Sequence, residues 1–197
     1  MVLVTLCLWG VLPIFLKLAL NYYSAGTIVW FRFSFSFLIL FWFLFLFRSG
    51  CEILFRPPLI GVLGGVALAA NYFGMTQGVH LSGPSNAAII IQLAPVFLVI
   101  VGVVLFRETI RLRQLVGMII AMTGFYLFYL DRVRNAADNL NYSIANGWIV
   151  FAAVVWVVYM ICQKKLSIKY SAQTLNLLIY FVAMVVLVPL VEWGEFF

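Results

Sequence analysis

Of the 197 residues, 66% are hydrophobic and 9% charged, with a formal charge of +6. A soluble domain carries about 25% charged residues, so no water-soluble packing hides this much apolar surface and the bilayer is the solvent. Nucleic-acid binding is excluded because the basic residues lie between apolar runs and form no single patch. Cys7, Cys51 and Cys162 are far apart and show neither pairing nor metal-ligand spacing. No intramembrane His/Asp/Glu cluster, Ser-His pair or zinc spacing is present, so an enzyme is not expected.

About 20 apolar residues at 1.5 Å rise cross a roughly 30 Å hydrocarbon layer, and seven such spans can be drawn. The first, residues 2–20, lacks a charged lead-in and a cleavage site, and reads as a spanning helix rather than a signal peptide. It carries Trp9, which either anchors at the interface or offers an apolar face to a substrate. Lys17 near its end is expected to snorkel to the headgroups. The second span, 27–47, includes FRFSFSFLILFWFLFLF. Its bulky rings suit a peripheral, lipid-facing helix; Arg32 reads first as a snorkelling residue and second as a carboxylate-binding one.

The third span, 59–78, aligns Gly64, Ala67, Asn71, Met75 and Gly78 in one stripe, and Gly61 and Gly65 add a second small-residue spacing. Such stripes let backbones approach closely, and close packing of the third and fourth spans is the leading expectation. Asn71 and Tyr72 are the residues there that could face a ligand. His80, the single histidine, falls in the following turn, as a solvated residue or a proton sensor.

The fourth span, 85–106, begins PSNAAIIIQLAPVF. Pro95 removes a backbone donor, so the carbonyl of Ile91 would lose its helical partner. Ser85, Ala88, Gln92, Pro95 and Val99 fall within about 60° of one line at 100° per residue, while Ile90, Phe97 and Val101 point away. Gln92 and Pro95 thus share a small, polar face that lines a cavity or meets a neighbouring helix; Asn86 is expected to act as an N-cap. The fifth span covers 112–130. After the polar stretch DRVRNAADNLNYSIAN come the sixth, 147–163, with Trp156 and Tyr159 one turn apart, and the seventh, 174–191. The six acidic residues, Glu52, Glu108, Asp131, Asp138, Glu192 and Glu195, all fall in loops, which argues against proton coupling through a buried carboxylate.

If the loops alternate sides, those after the second, fourth and sixth spans carry eight of the twelve Lys and Arg. This bias predicts a cytoplasmic amino terminus. A repeat appears at an offset of 147: Trp9, Val11, Ile14, Lys17, Tyr23, Ser24, Ala25 and Thr27 recur as Trp156, Val158, Ile161, Lys164, Tyr170, Ser171, Ala172 and Thr174. Five spans separate the two starts, and an odd number turns the second unit upside down, the arrangement found in secondary transporters. The expected organisation is a first five-helix unit over 1–131, a linker over 132–146, and an incomplete second unit over 147–197. Seven spans of an expected ten are present, so the chain reads as a fragment or a genuinely short form.

The stretches LWGVLPIFLKLAL, SAGTIVWFRF and NAAIIIQLAPVFLVIVGVVLFRETIRLRQLVGMIIAMTGFYLF resemble an EamA-type transporter of the drug/metabolite transporter superfamily. The features that carry the resemblance are Leu-Ala-Pro in the fourth span, Glu108 at the next turn, and Gly117 and Gly124 in the fifth. The resemblance implies an all-α integral membrane bundle of inverted five-helix repeats in the cell (plasma or inner) membrane. It implies export or exchange of small metabolites, amino acids or drugs by alternating access, without a cofactor. The expected partners are a small-molecule substrate and lipid, with a further copy of the chain left open. The candidate cavity-lining residues are Gln92, Pro95, Asn71, Tyr72, Trp9, Trp156 and Tyr159. The other reading is a truncated, non-transporting membrane protein serving as assembly partner, regulator or remnant.

Overall fold

The computed structural model describes residues 2–46, 51–107, 109–136 and 140–196. The described elements are helices: α1 (Val2–Ala19), α2 (Ala25–Leu46), α3 (Leu59–Ser82), α4 (Pro84–Ile90), α5 (Leu93–Phe106), α6 (Leu112–Ala136), α7 (Leu140–Leu166) and α8 (Ala172–Leu187), with short 3-10 turns at Cys51–Leu54, Val188–Leu190 and Trp193–Phe196. Five stretches are long and apolar enough to cross a membrane: Ala25–Leu46, Leu59–Ser82, Pro84–Leu105, Asn141–Leu166 and Ala172–Leu190. Shorter apolar helices at Gly10–Ala19 and Leu112–Phe128 occupy the other two expected positions. The protein is a multi-pass helical membrane protein.

The polar connector is more regular than its composition suggests, since α6 continues to Ala136 and α7 already starts at Leu140. The fourth span is two helices. Its tightened turn keeps right-handed torsions at Ile91 (φ −61, ψ −20) and Gln92 (φ −66, ψ −5). The Ile91 carbonyl is not left open by Pro95: it accepts from the Ala94 N–H at 2.9 Å, one residue short of the α-helical register. Gly83 joins α3 to α4 at φ +85, a conformation that a side chain would strain.

The small residues of α3 decide the architecture, and their partners differ from the expected ones. A Cβ at Gly64 would stand 3.2 Å from Cys162 Cβ, one at Gly74 3.1 Å from the Trp148 carbonyl, and one at Gly78 would strike Ile149. At Gly61 and Gly65 the obstacles are Leu178 and Val182, each at 2.6 Å. One stripe therefore receives α7 and the other α8, whereas α4 meets α3 mainly through the Gly83 turn. Rising numbers on α3 meet falling numbers on α7, so these helices run antiparallel over some 25 Å. Numbers on α3 and α8 rise together, so that pair is parallel.

Two apolar cores result. Val29, Phe33, Leu68, Tyr159, Leu175 and Leu178 centre the first, and Leu16, Val79, Ala87, Ile90 and Ile149 the second. The outer faces of α2 and α6 stay open, as at Phe35 (58% exposed), Trp42 (67%) and Ile120 (67%). The other side of α2 is not peripheral: Val29 and Phe33 are buried in the first core.

Candidate functional site

The 147-residue repeat has a visible local meaning. Ser24 Oγ accepts from the Thr27 N–H at 3.4 Å and lies 2.9 Å from Thr27 Oγ1; Ser171 Oγ accepts from the Thr174 N–H at 3.2 Å and lies 2.9 Å from Thr174 Oγ1. The shared Tyr-Ser-Ala-x-Thr thus caps α2 and α8 in the same way. These two helices also pack on each other in opposite directions. Gly26 abuts the Leu190 carbonyl, and Phe37 meets Phe181 further along at 5.4 Å between ring centroids.

Near the middle of the bundle, α3 presents Asn71 to α7 and Tyr72 to α2. The Asn71 carboxamide is buried and donates from Nδ2 to the Ala152 carbonyl at 2.8 Å. Tyr72 makes an edge contact with Phe33 at 5.1 Å, and Phe33 also meets Tyr180 at 5.9 Å. Buried Tyr159 lies 5.2 Å from Trp156, and both join the same apolar cluster as Tyr72 and Tyr180. Above this group the Arg32 guanidinium stands 4.9 Å from the centroid of the Tyr72 ring. Polar-tipped aromatics, a carboxamide and a cation therefore converge where α2, α3, α7 and α8 meet.

Four sequence-derived candidates, Asn71, Tyr72, Trp156 and Tyr159, come together here. Gln92 and Pro95 do not. Their face, with Ser85, Ala88 and Val99, is exposed, while Ile90 on the opposite side is buried in the second core. The Trp9 side chain lies outside the described residues, as does Glu108. Tyr180 was missed, although the rule that marks Tyr72 and Tyr159, a hydroxyl-bearing ring deep in an apolar run, also marks it. The Arg32 guanidinium lies over the Tyr72 ring of α3.

Asn86 is no N-cap. It sits within α4, buried, and donates to Ser82 Oγ (2.9 Å) and Asn146 Oδ1 (2.7 Å) while accepting from the Tyr142 hydroxyl (2.6 Å). This network ties α4 to the first turns of α7, a bond between distant segments that one sequence cannot reveal. Lys17 Nζ donates to the His80 carbonyl at 3.0 Å, so the lysine closes the last turn of α3.

Two open hollows lie apart from Asn71, Tyr72, Trp156, Tyr159 and Tyr180. One, of about 400 Å³, lies between α5 and α7 and is lined by Leu98, Gly102, Met160, Ile161, Gln163 and Lys164. The other, about 390 Å³, sits at the α1–α2 turn beside Gln77, His80, Glu192 and Glu195. Among the described residues no three His, Cys, Asp or Glu side chains are grouped to hold a metal.

Comparison with known proteins fits this picture. Residues 1–130 match the family model described as the EamA-like transporter family. An "Uncharacterized transporter" of Haemophilus influenzae is 30% identical over 195 residues, covering 98% of this chain and 64% of the relative. The "Uncharacterized inner membrane transporter YhbE" of Escherichia coli K12 is 28% identical over 199 residues, covering 98% of this chain and 61% of YhbE. A "Probable terminal-alkyne amino-acid exporter" of Streptantibioticus cattleyicolor is 27% identical over 135 residues, 68% of this chain and 43% of the relative. The chain thus spans less than two thirds of the length of these relatives. No solved structure matches it.

Proposed function

The chain belongs to the EamA-like transporter family, and we propose that it works in the cell membrane as part of an alternating-access carrier that exports or exchanges small organic metabolites. The carrying observation is the convergence of Asn71, Tyr72, Trp156, Tyr159 and Tyr180 at the junction of α2 and α3 with α7 and α8. In this reading, α2–α3 and α7–α8 belong to two units of opposite direction, and a substrate held between them is exposed to either side as one unit rocks on the other. The shared caps of α2 and α8 and their antiparallel packing support two such units. The amino-acid exporter among the relatives favours substrates of that size.

The proposed orientation follows the charges. Arg56, Arg107, Arg111, Arg113, Lys164, Lys165 and Lys169 gather at the end of the bundle that holds the carboxyl ends of α5 and α7. That end is assigned to the cytoplasm, and with it the amino terminus.

The experiment is counterflow of labelled amino acids and related metabolites in proteoliposomes made with the product of the complete reading frame. Accumulation of at least one solute, weakened by Tyr159→Ala and by Trp156→Ala, is the expected result. Folded protein that moves none of a broad panel would reject the carrier.

A further inference from the structure

Arg32 is the eighth residue of α2, about 10 Å along the axis from the helix start. A side chain there could reach back to the nearer membrane surface. Instead its guanidinium lies over Tyr72, and Tyr72 is about 15 Å from the same end of α3. Both positions lie inside the apolar stretches Ala25–Leu46 and Leu59–Ser82, away from their ends.

A cation–π contact uses the charge of a guanidinium but gives its N–H donors no oxygen acceptor. Among the described residues nothing accepts a hydrogen bond from Arg32 and no carboxylate pairs with it. The acids at the near end are elsewhere: Glu192 and Glu195 follow α8, and Glu195 Oε1 already accepts from the Ser24 N–H at 2.6 Å. A cation in a membrane interior is expensive and is kept where it meets a charge or a substrate. Arg32 is only partly buried. Phe33, next in sequence, is buried and joins Tyr72 to Tyr180 in one aromatic group.

We propose that Arg32, held over Tyr72, is an anion subsite that takes the carboxylate of a small organic acid, amino acids included, whose apolar part lies beside Tyr72 and Tyr180. The planar fork matches a carboxylate through two parallel hydrogen bonds. This names a substrate class for the carrier and rests on that reading.

The test is ligand-induced thermal stabilisation of the purified chain in lipid nanodiscs. The probes are three pairs that differ in the acid group: L-phenylalanine and its amide, L-leucine and its amide, benzoate and benzamide. At least one acid should stabilise the wild type more than its amide. R32Q should weaken that acid's binding roughly 10- to 100-fold, and R32K, which keeps charge without the fork, should retain part of it. Unliganded unfolding and gel filtration check that each variant folds; if R32Q does not, R32K alone must still weaken the acid and spare the amide. Equal responses to acid and amide, or full acid binding in both variants, would overturn the subsite and leave the carrier standing. A wild type that answers to no acid also overturns it, and counterflow of neutral or cationic solutes then shows whether the carrier survives.

Discussion

Asn71 on α3 donates its carboxamide N–H to the main-chain carbonyl of Ala152 on α7 at 2.8 Å, with the asparagine side chain buried. Ala152 lies mid-helix, so its carbonyl also serves the α7 ladder and does not depend on Asn71 alone. Asn71→Leu should therefore destabilise by about 0.6–1.7 kcal/mol, the range of interhelical hydrogen bonds in membranes. Reversible unfolding in mixed micelles measures it, and a loss above about 3 kcal/mol would mean that Asn71 holds more than this bond.

The glycines of α3 and α6 offer a sharper contrast. A methyl at Gly65 would lie 2.6 Å from Val182 Cβ, and one at Gly78 would press on Ile149, whereas Gly117 and Gly124 have nothing within 4 Å. Gly65→Ala and Gly78→Ala should each cost about 1–3 kcal/mol through overpacking. Gly117→Ala and Gly124→Ala should be neutral or gain up to about 1 kcal/mol from helix propensity. The same unfolding assay ranks all four, and equal losses in α3 and α6 would refute the assigned seams.

That contrast marks how far the sequence could be read. Spacing identified both small stripes of α3, because helical periodicity fixes which residues share a face. It could not name their partners, and proximity along the chain suggested α4 where α7 and α8 pack. The opposite sides of α4–α5 were likewise separable, but which side is covered depends on the whole bundle: Ile90 is inside and Gln92 is outside. Asn71, Tyr72, Trp156 and Tyr159 stood out as polar-tipped groups in apolar runs. Arg32 lying over Tyr72 and Asn86 bonding to Asn146 are contacts between distant segments, and nothing local announces them.

Duplicate caps with unequal surroundings predict unequal stability. Both helix starts use a serine hydroxyl, but α2 has in addition the Glu195 carboxylate on the Ser24 N–H and the Glu192 N–H on Thr27 Oγ1, at 3.2 Å. Ser171→Ala should cost about 0.5–2 kcal/mol, and Glu195→Gln about 0.3–1 kcal/mol through lost charge at the α2 start. Hydrogen exchange should accordingly be slower at 25–28 than at 172–175, with Glu195→Gln narrowing the difference. Equal protection in the wild type would show that Glu192 and Glu195 add nothing to the cap.

Pro95 is the third residue of α5, in the turn whose N–H groups have no intrahelical acceptor in any case. Proline is tolerated there, so its cost is far below the roughly 3 kcal/mol of a mid-helix position. Replacing it restores an N–H at position 95 that can take the Ile91 carbonyl from Ala94 and fuse α4 with α5. Pro95→Ala should thus change overall stability by less than about 1 kcal/mol, slow hydrogen exchange across 92–96, and impair counterflow if bending there accompanies transport. Gln92→Leu, on the exposed side of the same turn, should leave unfolding within about 0.5 kcal/mol of wild type. Unchanged exchange in Pro95→Ala would show that packing around Ile90 and Ala94, not the missing donor, maintains the break.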